Sequence, residues 1–590
     1  MSVQPMPWPE PAPEIVSAVR AMYRRREPPL PVTVRDRFGE LFPDAEFAAG
    51  FGRRGRPGWS PGRLALVTVL QMAENLTDRQ AADAVRDKIS WKDALGLGLD
   101  DEGFDASVLS EFRTRVVEHG LEQRVLDLLL DRLKAEGLVS AGGKARTDST
   151  HVIAAVRELN RIELAGESVR AGVEVLAAAA PDWLATVIDV SDWAGRYRAR
   201  VDSWRLPASK AKQGRLAATY GADAATLLRA VYHRQAPPWL SELPAVEVLR
   251  VMLVQNYVIS TDPAGREVIR MREADTDGLP PARTRLVSPY DPDARWSVKR
   301  RQGDRPGDEL RWTGYKAHLT ETCDTQTSDT QTCDGPDDSA DEQGLRRPNI
   351  ITGVATTDAT VPDVAMTDPI HTALARRDLL PARHYLDSGY PSAPLLVEVR
   401  RRWGTELVSP LLADNSRQAK AGAGFDRSRF TIDFDAQQAS CPQGQTSTWW
   451  DPVTLGGTPK ISIKFAADTC RGCPVRDQCT RTTSRRYGRQ LTVPTREVHE
   501  AQLAARTSQN TPDWQADYAV RAGVEGTIGQ GIAVTGIRRA RYRGLAKTRL
   551  EHVFSATALN LIRLHAYWHG HPLDRTRTSR LSQLDLALAA

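Results

Sequence analysis

The order of extended and helical segments between Asp148 and Ser409 constrains this chain more than any other feature. Extended runs around Asp148, over Trp312–Thr320 and over Asn349–Thr356 alternate well enough to be strands. A helix near Thr367–Arg377, a strand at His384–Asp387, a helix from Ser392 to Arg402 ending before Gly404, and a strand at Thr405–Ser409 follow. Three strands, then helix, strand, helix and strand, bring the ends of the first and fourth strands side by side. Asp148 and Asp387, 239 positions apart, then stand together. Both lie in short extended runs, Lys144-Ala-Arg-Thr-Asp-Ser-Thr-His151 and His384-Tyr-Leu-Asp-Ser-Gly-Tyr390, and are followed by Ser and polar or turn-forming residues, so each can project from a strand end. Taken alone, either aspartate is more often a turn or cap residue.

A third acid has a helical setting. In Tyr518-Ala-Val-Arg-Ala-Gly-Val-Glu525 the spacing predicts a helix with Tyr518, Arg521 and Glu525 stacked along one face. A carboxylate beside a guanidinium and a phenol suits a divalent metal and a phosphate, although an arbitrary triple of this kind is usually a solvated stripe. Together the three segments resemble the DDE transposases of bacterial insertion sequences: the Tyr-x2-Arg-x3-Glu spacing, Tyr-Leu-Asp-Ser-Gly-Tyr and Arg-Thr-Asp-Ser-Thr-His all match, and the resemblance covers most of the chain. It is to the branch with a helical N-terminal domain and a cysteine-bearing insertion ahead of the catalytic Glu helix. The expected fold is α/β: a ribonuclease-H-like catalytic domain with a mixed sheet, an all-helical N-terminal domain, a helical insertion and a small Cys-rich β insertion.

The expected organisation is an N-terminal arm over 1–50, a helical DNA-binding or dimerisation domain over 51–140, a catalytic domain over 141–570 interrupted by 152–296 and 410–498, and a tail over 571–590. Ser60-Pro61 starts a helix apolar at Leu64, Leu66, Val67, Val69, Leu70 and Met72, and Thr77 caps a second from Asp78 to Arg86. The short joint between them resembles a helix-turn-helix pair, with a packing module as the plainer reading. Residues 321–348, rich in Thr, Asp, Gln and Ser, are expected to be a disordered loop.

At 590 residues the chain is too long for one core, and 41% hydrophobic with 26% charged residues is an ordinary globular composition. No apolar run of about 18 residues is present, so a cytoplasmic, nucleoid-associated protein without a membrane partner is expected. The net charge of +5 is a weak hint of a polyanionic partner. Clusters at Arg53, Arg54 and Arg56, at Lys299, Arg300 and Arg301, and at Arg538, Arg539, Arg541, Arg543, Lys547 and Arg549 point more firmly to nucleic acid. Cys441 and the Cys470-x2-Cys473-x5-Cys479 knuckle suit tetrahedral Zn2+, against the alternative of free core cysteines. Cys323 and Cys333 lack such spacing and are expected to be free thiols.

The resemblance implies that Asp148, Asp387 and Glu525 are catalytic and hold two Mg2+ ions, with Mn2+ as a substitute, at the roughly 3.5–4 Å separation of two-metal phosphoryl chemistry. Tyr518 and Arg521 are expected to contact terminal phosphates, and Arg538, Arg539, Arg541, Arg543 and Lys547 to bind DNA. The family often places a Lys or Arg seven residues after the Glu; here that position is Ile532. Asp358, Asp363, Asp517 and Glu551 compete for the metal role, His151 and His384 flank the aspartates, and Trp449-Trp450 are candidates for stacking on an unpaired base against a default of core packing. The implied partners are double-stranded DNA, as terminal inverted repeats and target, and further copies of the chain in a homodimer or higher assembly. The implied activity is cleavage of transposon ends and strand transfer. The alternatives are a ribonuclease-H-like nuclease without joining activity and a non-catalytic zinc-containing DNA-binding protein.

Overall fold

The computed structural model describes residues 5, 7–52, 54–55, 58–299, 305, 307–323 and 347–571. Arg53, Arg56, Arg300, Arg301, Cys333, all but the ends of the 321–348 segment, and the tail after His571 lie outside the described residues.

Six strands form the central sheet: β1 (Lys144–Ile153), β2 (Arg295–Lys299), β3 (Leu310–Thr322), β4 (Ile351–Asp358), β5 (Arg383–Leu386) and β6 (Glu406–Val408). β1 is central, antiparallel to β3 on one side and parallel to β5 on the other, and β5 is parallel to β6. β2 and β4 share the far edge of β3, β2 against Leu310–Gly314 and β4 against Tyr315–Glu321. The handover falls at Gly314, where φ is +152° and a Cβ would come within 2.1 Å of the Val152 carbonyl oxygen, so only glycine fits there. This mixed sheet with its crossing helices is the ribonuclease-H-like domain that the element order implied. Only the edge strand β2 went unforeseen.

The N-terminal helices form as their caps require. Ser60 accepts from the Arg63 N–H, and Thr77 and Gln80 make a capping box. Helices α1 (Pro61–Ala73), α2 (Asp78–Asp87), α3 (Ser107–Glu118) and α4 (Arg124–Ala135) follow. Eleven of the thirteen α1 residues are buried, which makes α1 a core helix, and the exposed face of α2 mixes Arg79 and Arg86 with Asp83 and Asp87. Helices α5 (Thr367–Arg376) and α6 (Ala393–Trp403) connect β4, β5 and β6. After the Cys-rich module come α7 (Gly523–Val534) and α8 (Leu545–Trp568). α8 packs against both β4 and α1, so helical domain and sheet share one continuous core that includes Leu70, Leu130, Val354, Leu386 and Phe554.

The two insertions carry cores of their own. Between β1 and β2, helices Arg161–Ala179, Lys210–Val231 and Pro244–Asn256 pack around Val169, Leu227 and Met252, with an unpredicted hairpin of Tyr257–Thr261 and Glu267–Met271. After β6, a three-stranded sheet of Trp449–Leu455, Thr458–Ala466 and Tyr487–Pro494 buries Phe465, Ile463 and Val493. Helix Arg496–Ser508 then packs on α6 and returns the chain to the main sheet.

Candidate active site

Side chains alternate across β1, so Arg146, Asp148 and Thr150 face one side and Thr147 the other. Thr147 joins the buried Thr320 and His384. Arg146, Asp148 and Thr150 instead meet the C-terminal part of the chain, through the Val520 carbonyl, Arg521 and Arg538 respectively. The parallel register ends with Thr147 paired to Leu386, so Asp148 and Asp387 are the next residue on each strand, and they lie close enough for the Asp387 charge to raise the Asp148 carboxyl. Each aspartate accepts the N–H of the serine that follows it, at 2.7 Å for Asp148 and 2.6 Å for Asp387. The serine in both segments thus belongs to a local turn that fixes each carboxylate.

The expected single helix through Tyr518, Arg521 and Glu525 is broken. Helix Pro512–Tyr518 passes into a 3-10 turn over Ala519–Ala522, and α7 starts at Gly523. The turn is pinned by Arg146, which donates to the Val520 carbonyl at 2.8 Å and to Glu321 at 2.7 Å. Glu321, wholly buried, also accepts from Thr527 on α7 and Arg563 on α8. That network, which no local motif announced, clamps the start of α7 to the sheet. Arg521 survives the break as a bridge: Nη2 donates to Asp148 at 2.5 Å and Nη1 to Glu525 at 2.8 Å. Tyr518 stacks on Trp514 and donates to the Leu386 carbonyl at 3.1 Å, one residue before Asp387.

The electrostatics bind these groups into one site. Burial raises the Asp148 carboxyl above its usual value; Arg521 and the Ser149 N–H oppose this, Asp387 adds to it, and Lys299 lowers it. Burial pushes the Tyr518 phenol up to about 12, with Asp387, Asp148 and Glu525 all adding to the rise against Arg521. All three acids therefore lie within electrostatic reach of one phenol. The Asp148 side chain keeps 11% of its surface exposed and that of Glu525 66%, so the site opens on the helix side. The donor oxygens of the three acids do not all fall within 4.8 Å of one another. The Arg521 guanidinium stands between two of them, where a cation suits the charge.

The competing acids have other partners. Asp363 pairs with Lys316 at 2.8 Å, Asp358 caps Thr360, Asp517 accepts from Arg383 and Tyr385, and Glu551 is buried against the Arg541 N–H. His384 is packed between Thr147 and His371 on the face away from Asp148, and His151 lies half-buried against Trp312. Arg538 binds Thr150 and its backbone extends the edge of β1 at Ile153. Arg541 is used structurally, donating to the Leu76 carbonyl at 2.6 Å and to Asn75 in the turn between α1 and α2. Arg539 is exposed, Arg543 lies over the Tyr290 ring, Lys547 is half-buried, and Arg549 pairs with Glu122. Ile532 packs against the common core, an apolar role for a position where the family often has a base.

Cys441, Cys470, Cys473 and Cys479 line one cavity of about 30 Å³. Burial raises the Cys479 thiol; Arg489 opposes this, and the other three cysteines add to it. Four sulfurs around one small space fit a tetrahedral thiolate metal, although no three of them fall within 4.8 Å of one another. Cys323 packs against Tyr385 and Val408 instead. Trp450 packs edge-on to Phe434, while Trp449 is 40% exposed. No helix among the described residues is long and apolar enough to cross a membrane.

Comparison with known families adds two matches. Residues 24–115 match a family described as Transposase domain (DUF772), which spans the N-terminal helices through most of α3. Residues 440–565 match Transposase DDE domain, from just before Cys441 through the knuckle and Glu525 into the last turn of α8. No curated protein and no solved structure matches the chain. Between them the matches reach both sides of the shared core and the helix that carries the third acid, and over these stretches they indicate a DDE transposase of the insertion-sequence type with a helical N-terminal domain.

Proposed function

We propose that the chain cuts transposon-end DNA and joins the freed end to target DNA, with Asp148, Asp387 and Glu525 as the catalytic acids. The observation that carries this is the step of register that sets Asp387 beside Asp148, combined with the guanidinium that ties Asp148 to Glu525. Hard carboxylate oxygens fit Mg2+ or Mn2+, and such ions, held by these acids, activate the attacking oxygen and stabilise the leaving oxygen at phosphorus. Arg521 has the planar donor fork that matches a phosphate, so it can leave the carboxylates for the scissile phosphate once they are neutralised. Tyr518 holds the Asp387 strand end through Leu386 and borders the same phosphate. Lys299, Arg538, Arg539, Arg543 and Lys547 supply the salt-sensitive attraction for the DNA backbone. The four-cysteine cavity takes Zn2+ as a structural ion that stabilises the module before α7. Double-stranded inverted repeats and target DNA are the substrates, bound by a homodimer or larger assembly.

The test uses a duplex carrying the repeat end that flanks the gene. Asp148→Asn should abolish cleavage and strand transfer while binding stays within about two-fold, since one carboxylate contributes little to backbone affinity. Unchanged cleavage removes Asp148 from the site. Cleavage without any joined product in the wild type would favour a nuclease.

A further inference from the structure

We propose a second metal site, distant from the acids, in which Glu27, His565, His569 and His571 take a divalent transition cation of the Zn2+ class and clasp the N-terminal arm to the end of α8. Among the described residues, Glu27, His565 and His569 form the one group of three or more His, Cys, Asp or Glu whose donor atoms all lie within 4.8 Å of each other. His571 lies outside that group, its Nε2 at 2.5 Å from the other Glu27 oxygen, Oε2, and completes the set only by turning its ring toward the ion. His565 Nε2 lies 2.9 Å and His569 Nδ1 3.9 Å from Glu27 Oε1; His569 Nδ1 also donates to the His565 carbonyl at 2.8 Å, a hydrogen bond that must give way for this nitrogen to ligate. Ligands about 2.0–2.1 Å from a tetrahedral ion stand roughly 3.4 Å apart, so these separations bracket the required one.

The sequence places two of the ligands by helical geometry, since His565 and His569 are four residues apart on one face, and their rings lie 4.5 Å centre to centre. Orientation comes from neighbours: His565 Nδ1 is hydrogen-bonded to Thr33 Oγ1 at 3.1 Å, which leaves Nε2 turned to Glu27. A metal-bound imidazole is commonly held through its other nitrogen in this way. Three imidazoles and one carboxylate form a borderline donor set, which selects Zn2+, Co2+ or Ni2+ over Mg2+. Glu27 and His565 are far apart in sequence, so an ion here cross-links the two ends of the shared core.

The probe is Co2+ titrated into the untagged, metal-stripped full-length chain with excess Mg2+ present. His565→Ala with His569→Ala should bind one equivalent fewer than wild type, with the thiolate-to-cobalt absorption of the cysteine site and the far-ultraviolet circular dichroism unchanged. Glu27→Gln, a surface change that leaves the fold intact, should weaken that same equivalent about ten-fold or more. Equal stoichiometry in the double variant, or equal affinity in Glu27→Gln, overturns the proposal. Wild-type binding confined to sites with thiolate absorption overturns it as well.

Discussion

Asp148 and Glu551 are both carboxylates raised by burial, and what surrounds them separates a site from a core. Asp148 has an arginine at 2.5 Å and a second aspartate as strand neighbour, at a surface that opens toward Glu525. Glu551 is fully buried, accepts the Arg541 N–H with one oxygen and has no hydrogen-bond partner for Oε1 among the described residues. Burial pushes its carboxyl up to about 7, against the Arg541 N–H and the Arg541 and Arg113 charges. Between the ordinary value of 4.5 and about 7 the folded chain holds a proton that the unfolded chain has released. The resulting stability is complete below pH 4.5 and is lost as pH rises through 7. Glu551→Gln should therefore flatten the pH dependence of urea unfolding in that window and stabilise the core above pH 7 by on the order of 2–3 kcal/mol. An unchanged slope would show that Glu551 is ionised in the core.

At the scale of elements, the strands and helices around the two aspartates were legible because alternation and caps are local signals. β3, β4, β5, α5 and α6 all lie within a few residues of their sequence-based spans. β2 was not legible: Arg-Trp-Ser-Val-Lys is a short, half-exposed edge whose pattern matches a loop as well as a strand. The turn at Ala519–Ala522 was hidden for a different reason. Spacings of three and four residues suit an α-helix, and nothing nearby in sequence reports that Arg146 pulls on the Val520 carbonyl from β1. Gly523 is the one local trace, since a Cβ there would meet Arg146 Nη1 at 1.9 Å. Gly523→Ala should push that guanidinium away, shift the turn bearing Arg521 and cut cleavage by about ten-fold or more, because catalytic groups tolerate little misplacement. Its stability cost should stay near 1–3 kcal/mol. Gly529→Ala on the same helix, with nothing within 4 Å of the new Cβ, should keep full cleavage and gain about 0.5–1 kcal/mol. Equal activity in the two variants would mean that the turn's position does not set the site.

At the scale of the whole molecule, hydrophobic patterning revealed that α1 is buried but not what buries it, and α8 was not read from the sequence at all. The sequence suggested a separate helical domain beside a catalytic one. In the structure α8, with fourteen of its twenty-four residues buried, lies between α1 and β4 and closes both. Asn560 on α8 even completes the sheet edge, accepting the Ile351 N–H at 2.8 Å and donating to its carbonyl at 2.9 Å. Such an arrangement couples the N-terminal helices to the sheet that carries Asp148, while the insertion after β1 keeps a core of its own. Phe554→Ala removes a fully buried ring from the shared core and should cost about 3–5 kcal/mol. Hydrogen exchange should then quicken together in Pro61–Ala73, Ile351–Asp358 and Leu545–Trp568, because they open as one unit. Exchange in Arg161–Ala179 and Pro244–Asn256 should stay at the wild-type rate. Faster exchange confined to the sheet, with Pro61–Ala73 unaffected, would show that the helical region folds apart from the catalytic core and that α8 does not unite them.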